Sequence, residues 1–148
     1  MKFTCSVTIN LPRKNVVDLW QDPNNLKHWQ DGFIDFKHLE GDPGTVGAVS
    51  RMRYKIRNRE LELVETIKHM NLPEEMTATY ESKPMNNTMH NTFTMVTDTV
   101  TRWDAEIHYT EMNGFVVKLM AKLFPNMFKK QAQKWFDQFK EFAENKQN

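Results

Sequence analysis

Polar and apolar residues alternate with a period of two along most of the chain, then give way to an apolar stripe with a period near 3.6. Phe3, Cys5, Val7 and Ile9 alternate with Lys2, Thr4, Ser6 and Thr8, the pattern of a half-buried first strand. Pro12 suits the first turn of a helix whose apolar side is Val16, Val17, Leu19 and Trp20. Asp22-Pro23 stops that helix, because proline disfavours helical backbone at the preceding residue. A second short helix is expected from Asn24 to Trp29, before Asp31-Gly32 turns the chain.

From Phe33 to Tyr109 the alternation predicts a meander of six strands. Phe33 to Glu40 is followed by the turn residues Gly41-Asp42-Pro43-Gly44 and Gly47. Between Ala48 and Arg57, Met52, Tyr54 and Ile56 share one face, and Arg51, Arg53, Lys55 and Arg57 share the other. A tight turn at Asn58-Arg59 would set Arg57 opposite Glu60, Lys55 opposite Glu62 and Tyr54 opposite Leu63. The basic residues then read as a solvated outer face with cross-strand partners rather than an anion site. Three further strands follow the one from Glu60 to His69. Their inner faces are expected to be Met76, Ala78 and Tyr80; Met89, Asn91, Phe93 and Met95; and Trp103, Ala105, Ile107 and Tyr109.

After Met112-Asn113-Gly114 the helical stripe runs through Phe115, Leu119, Leu123, Met127, Gln131, Trp135, Phe139 and Phe142, widened by Met120, Phe124 and Phe128. Pro125 is expected to kink this helix or split it. The class that follows is α+β, one long C-terminal helix lying across a curved antiparallel sheet. With matching apolar sheet faces available, the stripe is assigned to core packing in preference to a membrane surface.

At 148 residues, a single domain over 1–148 is expected. Twenty basic and 19 acidic residues leave a net charge of +1, which makes no electrostatic case for nucleic acid or an anionic membrane surface. The single cysteine, Cys5, permits no internal disulfide and fits a reducing compartment. The N-terminal residues lack the apolar run of a signal peptide, and no stretch reaches the length of a membrane span, so a cytoplasmic location is expected.

Several stretches resemble the START-like, or SRPBCC, helix-grip superfamily, in particular its polyketide cyclase/dehydrase-like branch. They are Val16-Val17-Asp18-Leu19-Trp20 with Asp22-Pro23-Asn24-Asn25-Leu26-Lys27-His28-Trp29; Gly41-Asp42-Pro43-Gly44 leading to Val46-Gly47 and Arg51-Met52-Arg53-Tyr54; Leu63 to Met70 before Leu72-Pro73; and the C-terminal helix. The resemblance implies a seven-stranded antiparallel sheet curled around that helix, with two short helices after the first strand and a mostly apolar tunnel between sheet and helix. Members of the superfamily include lipid and hormone carriers, aromatic polyketide cyclases, oxygenase subunits and chaperone activators. The oxygenase subunits' cysteine/histidine pair is missing here.

No motif dictates chemistry. The five histidines, His28, His38, His69, His90 and His108, are scattered without metal-ligand spacing, so no metal site is expected. There is no glycine-rich phosphate loop and no G-x-S-x-G elbow, and no cofactor is expected. Cys5 reads as a small buried hydrophobe. Alternation sends a few polar groups inward. Asn91 stands between Met89 and Phe93, His38 shares a face with Ile34 and Phe36, and Glu65 falls opposite Met52 unless a bulge turns it outward. A buried carboxylate needs a partner or a raised pKa, which makes Glu65 and His38 the candidate acid–base groups.

The reading is a protein that binds a small, largely apolar molecule, such as a lipid, isoprenoid or aromatic metabolite, between sheet and helix. Met52, Tyr54, Tyr80, Met89, Asn91, Phe93, Met95, Trp103 and Tyr109 would line the sheet side, and Phe124, Met127, Phe128 and Trp135 the helix side. Asn91 and the tyrosines would orient the ligand's polar atoms. A cyclase- or dehydratase-like enzyme in the same cavity and a chaperone-activator-like interaction module remain the alternatives, and a homodimer is left open.

Overall fold

The computed structural model describes residues 1–146; residues 147 and 148, the end of the expected domain, lie outside the described residues. Strand β1 (Lys2–Ile9) leads into α1 (Arg13–Gln21), a single 3₁₀ turn (Pro23–Asn25) and α2 (Leu26–Trp29). The meander follows as β2 (Phe33–Glu40), β3 (Val49–Ile56), β4 (Arg59–Asn71), β5 (Glu75–Glu81), β6 (Met85–Thr97) and β7 (Val100–Met112). Two helices close the chain, α3 (Phe115–Leu123) and α4 (Pro125–Lys146). All seven strands form one antiparallel sheet in the order β1-β7-β6-β5-β4-β3-β2.

Local chemistry accounts for the breaks. The Asp22 carboxylate accepts a hydrogen bond from the Asn24 amide at 2.9 Å and so caps the 3₁₀ turn. Gly32 enters β2 at φ 85°, where a Cβ would collide with the Lys55 carbonyl. Pro125 splits the C-terminal stripe into two helices, with Phe124 as the corner residue at φ −130° and ψ 65°. Proline disfavours helix at the preceding residue and is itself suited to open the next helix.

The β3–β4 hairpin departs from the expected register. Its turn is Arg57-Asn58, both left-handed with φ 51° and 64°, and Ile56 pairs with Arg59. Lys55 therefore faces Glu60, Arg53 faces Glu62 and Tyr54 faces Leu61. A tight hairpin turn needs positive φ at both central residues, and asparagine tolerates it at the second position. The slip amounts to two residues, so every side chain keeps its face. On the outer face Arg53 binds the Asp35 carboxylate across the β2–β3 pair.

Helix α4 lies along edge strand β1, with its C-terminal half over the core. Gln133 donates to the Ser6 carbonyl at 2.8 Å, Lys140 to the Thr8 carbonyl at 2.6 Å, and Asn10 to Glu144 at 2.8 Å. These side-chain bonds cover an edge that would otherwise offer open backbone groups. Phe136, Phe139 and Ala143 are the residues of α4 that are fully buried.

Candidate functional site

Strand pairing fixes which side chains face α4. Across the sheet the inward rows run Phe36–Met52–Leu63, His38–Ser50–Glu65–Tyr80, Ala78–Met89–Ile107–Phe3, Asn91–Ala105–Cys5 and Phe93–Trp103–Val7. These rows meet two different environments.

At the end nearest α1 and α2 the interior is full. Trp103 stacks on Phe136 with ring centroids 3.8 Å apart, and Trp29, Phe139 and Trp20 stand edge-on to it at 5.9, 5.4 and 6.0 Å. Phe93 lies against both Trp20 and Trp103. Asn91 has no exposed surface, and its amide is engaged at both ends. Its oxygen accepts from Trp103 Nε1 at 3.0 Å, and its nitrogen donates to the Met76 carbonyl at 3.4 Å. Asn91 therefore ties the core together. Met52, Phe93 and Trp103 belong to the same packed cluster.

Toward the β3–β4 and β5–β6 turns most inward side chains, Tyr54 excepted, are only half-buried. Leu61, Leu63, Glu65, Tyr80, Met89 and Tyr109 point to the helix side yet keep contact with solvent. Glu65 is the polar centre of this region. The pairing through β3 and β4 is regular from Val49 to Ile56, and the bulge of β4 falls after Ile67, so Glu65 stays inward, opposite Ser50 rather than Met52. Tyr80 donates its hydroxyl proton to Glu65 Oε2 at 2.8 Å. Burial raises the Glu65 carboxyl above its usual range, and the Tyr80 bond opposes only part of that rise. Tyr80 is pushed well above the phenol range by burial and by the adjacent Glu65. The pair is a carboxyl whose ionised form is disfavoured by burial, beside a phenol that keeps its proton.

The remaining expected site residues are dispersed. Tyr54 is buried and raised by desolvation, but its hydroxyl already donates to Gln30 Oε1 at 2.7 Å. Gln30 itself, in the link from α2 to β2, carried no periodic signal. Tyr109 is pushed up to about 12, mainly by burial, and packs between Phe3 and Phe128 at 6.0 and 5.3 Å. Trp135 stacks on Tyr54 at 5.4 Å, and its buried indole N–H has no acceptor among the described residues. His38 is drawn into the β2–β3 turn, where its Nε2 bonds the Gly41 carbonyl at 2.5 Å. Burial raises the Cys5 thiol, which fits an inert side chain.

Two assignments are corrected outright. Met95 is 48% exposed, because β6 bulges between Met95 and Thr97 as it leaves the covered part of the sheet. Phe124 is 55% exposed at the α3–α4 corner. Together with Arg57, Leu123, Met127 and Lys130 it lines an open groove of about 600 Å³ between the corner and the β3–β4 turn. The proline split turns Phe124 away from the stripe that periodicity gave it. No group of three or more His, Cys, Asp or Glu side chains capable of holding a metal ion occurs among the described residues.

Residues 1–144 match the family described as "Polyketide cyclase / dehydrase and lipid transport". A search of curated protein sequences found no match. Among solved structures, the Zhui aromatase/cyclase from Streptomyces sp. R1128 superposes with a TM-score of 0.82 at 8% identity, over 100% of this chain and 96% of that one. A conserved protein from Geobacillus kaustophilus gives 0.80 at 14% identity, over 97% and 95%. Ginseng major latex-like protein 151 from Panax ginseng gives 0.71 at 13% identity, over 97% of both chains. At such identities the likeness is one of fold.

Proposed function

The chain belongs to the polyketide cyclase / dehydrase and lipid transport family, and from that premise we propose that it binds a small, largely apolar molecule with a neutral, oxygen-bearing polar group. Lipid alcohols, isoprenoids and aromatic ketones fit that description. The molecule would lie between α4 and the half-buried ends of β4 to β7, against Leu61, Leu63, Met89 and Tyr109. Each methylene removed from water there would contribute about 0.8 kcal/mol.

The observation that carries this reading is the Glu65–Tyr80 pair, inward-facing and hydrogen-bonded where the neighbouring inward side chains are only half-buried. Burial shifts the Glu65 carboxyl toward its neutral form, and that form offers an O–H to a ligand carbonyl or hydroxyl, which the ionised one does not. Trp135 Nε1 supplies a second donor without a partner. A ligand carboxylate or phosphate would have to give up its hydration in this half-buried site, and its negative charge would push the Glu65 carboxyl further toward its neutral form, so it suits the site less.

The same pair supports a cyclase- or dehydratase-like enzyme as the second reading. A protonated Glu65 beside the reacting carbonyl would act as general acid, and Tyr80 would hold the carboxyl in place. Native mass spectrometry of gently purified protein, with extraction of any adduct, tests binding directly. The expected result is a reproducible apolar adduct that is weakened about tenfold or more in Glu65→Leu. Absence of an adduct, together with no binding of isoprenoid alcohols or aromatic ketones by the wild type, would sink the proposal. Turnover of a bound ketone, lost in Glu65→Gln, would favour the enzyme.

A further inference from the structure

We infer that the outer face of α3 docks on an anionic phospholipid surface. The helix is apolar nearly all round. Val117, Met120 and Ala121 turn toward the protein and are half-buried, whereas Phe115, Val116, Leu119 and Leu123 form one exposed arc at helical spacing. Phe115 is 77% exposed and Val116 69%, and Leu123 with the corner residue Phe124 extends the patch. A helix with this composition is ordinarily enclosed on every side. Here its main neighbour is α4, and the outer arc is left in water. A contiguous apolar face of this kind marks a surface that is covered when the protein works.

Charge identifies what covers it. Residues 112–136 contain five lysines and no aspartate or glutamate, which leaves the rest of the chain net acidic. Lys118 and Lys122 flank the arc on α3 itself, and Lys129 and Lys130 follow on the first turns of α4. Arg57 reaches the same corner from the β3–β4 turn, where it lines the groove with Leu123, Phe124 and Lys130. Apolar side chains between lysines are the chemistry of a helix lying in the interface of an acidic bilayer. A second copy of the chain is a poorer occupant, because a two-fold contact through α3 would set these lysines against their own copies.

The position of α3 gives docking a consequence. Only Asn113 and Gly114 separate the end of β7 from the helix, and Asn113 is tied by hydrogen bonds to Pro84 and Lys83 in the β5–β6 turn. The helix therefore stands at the end of the sheet that carries Tyr109, the half-buried end. On the ligand reading above, docking brings that end against the bilayer and lets an apolar molecule pass without crossing bulk water. The docking itself does not depend on that reading.

Vesicle flotation tests it, with phosphatidylcholine alone and phosphatidylcholine mixed with phosphatidylglycerol. Wild type is expected to float with the mixed vesicles, less so with phosphatidylcholine alone, and to be released as salt is raised. The K118Q/K122Q double variant should partition roughly 30-fold more weakly into the mixed vesicles. F115Q/L123Q should lose binding while keeping its thermal melt and any native adduct, since both side chains already stand in solvent. Failure of the wild type to float, or equal flotation of all three proteins, would overturn the inference. So would a wild-type dimer in sedimentation equilibrium that F115Q/L123Q abolishes, which would assign the face to a second copy. Because the adduct is read separately, a ligand site without docking and docking without a ligand site give different results.

Discussion

Two ends of one sheet, with the same alternation and facing the same helix, have different interiors. Near α1 and α2, Trp103, Phe136, Phe139 and Trp29 interlock, and even the polar Asn91 is bonded into the packing. Toward the β5–β6 turn, Tyr80, Met89 and Tyr109 occupy equivalent inward positions and remain half-buried. The sheet does not make this difference; what lies over it does. The C-terminal half of α4 brings Phe136, Phe139 and Ala143 down, and α1 and α2 add Trp20 and Trp29 from beside it. The N-terminal half offers Met127, Phe128 and Ala132, none fully buried, after a proline that has already redirected the chain. One helix therefore serves as core at one end and as the cover of half-buried side chains at the other.

The largest expected effects test whether the packed end is structural. Trp103→Ala removes the ring on which Phe136 stacks and should destabilise the fold by about 3–5 kcal/mol in urea unfolding. Met89→Ala, at the open end, should lose under about 2 kcal/mol, because part of that side chain is already solvated. Equal losses would erase the distinction between the two ends. Asn91→Leu should cost about 1–3 kcal/mol, since it leaves the Trp103 indole N–H buried without an acceptor. Unchanged stability there would mean that the Trp103–Asn91 bond contributes nothing to the core, and would return Asn91 to candidacy as a ligand group.

The open end should reveal itself through pH. A Glu65 carboxyl held above its ordinary value of 4.5 keeps its proton in the folded state at pH values where the unfolded chain has released it. The folded state then binds more protons, so stability is greatest below that ordinary value and declines as pH rises through the raised folded value. Urea midpoints measured across that window should fall for wild type and flatten for Glu65→Gln; identical slopes would show that Glu65 is not desolvated. Tyr80→Phe should move the Glu65 titration further upward, because it removes the bond that opposes the burial effect, and carboxyl carbon NMR would register the shift.

Legibility from sequence follows the same division. Parity within a strand is local, so the seven strands, the inner rows and the α+β class could be read from alternation, and the two-residue slip at Arg57-Asn58 left them intact. Glu65 could be placed inward for that reason, although its partner Tyr80 lies across a different strand pair. The partial burial of one end and the close packing of the other could not be read, because they depend on how α1, α2 and α4 are laid over the sheet. For the same reason Asn91 read as a ligand anchor: an inward amide looks alike whether a ligand or an indole occupies it. The whole-chain balance of charge also concealed the lysines of residues 112–136, since summing over a sequence discards their clustering.

The smallest expected effect bears on an inward position of β6 that the fold exposes. Met95 pairs with Thr101, which is fully buried, so strict alternation would bury Met95 as well. The shift between Met95 and Thr97 releases the strand from the pleat at that point, and the side chain ends at the β6–β7 turn beyond the cover of α1. Met95→Thr replaces an exposed thioether with a residue that suits a strand, so stability should change by no more than about 0.5 kcal/mol, with no effect on ligand affinity. A loss of several times that size would mean that the pleat continues to the end of β6 and that Met95 packs inward with Phe93. The packed end would then extend one residue pair further than the bulge allows.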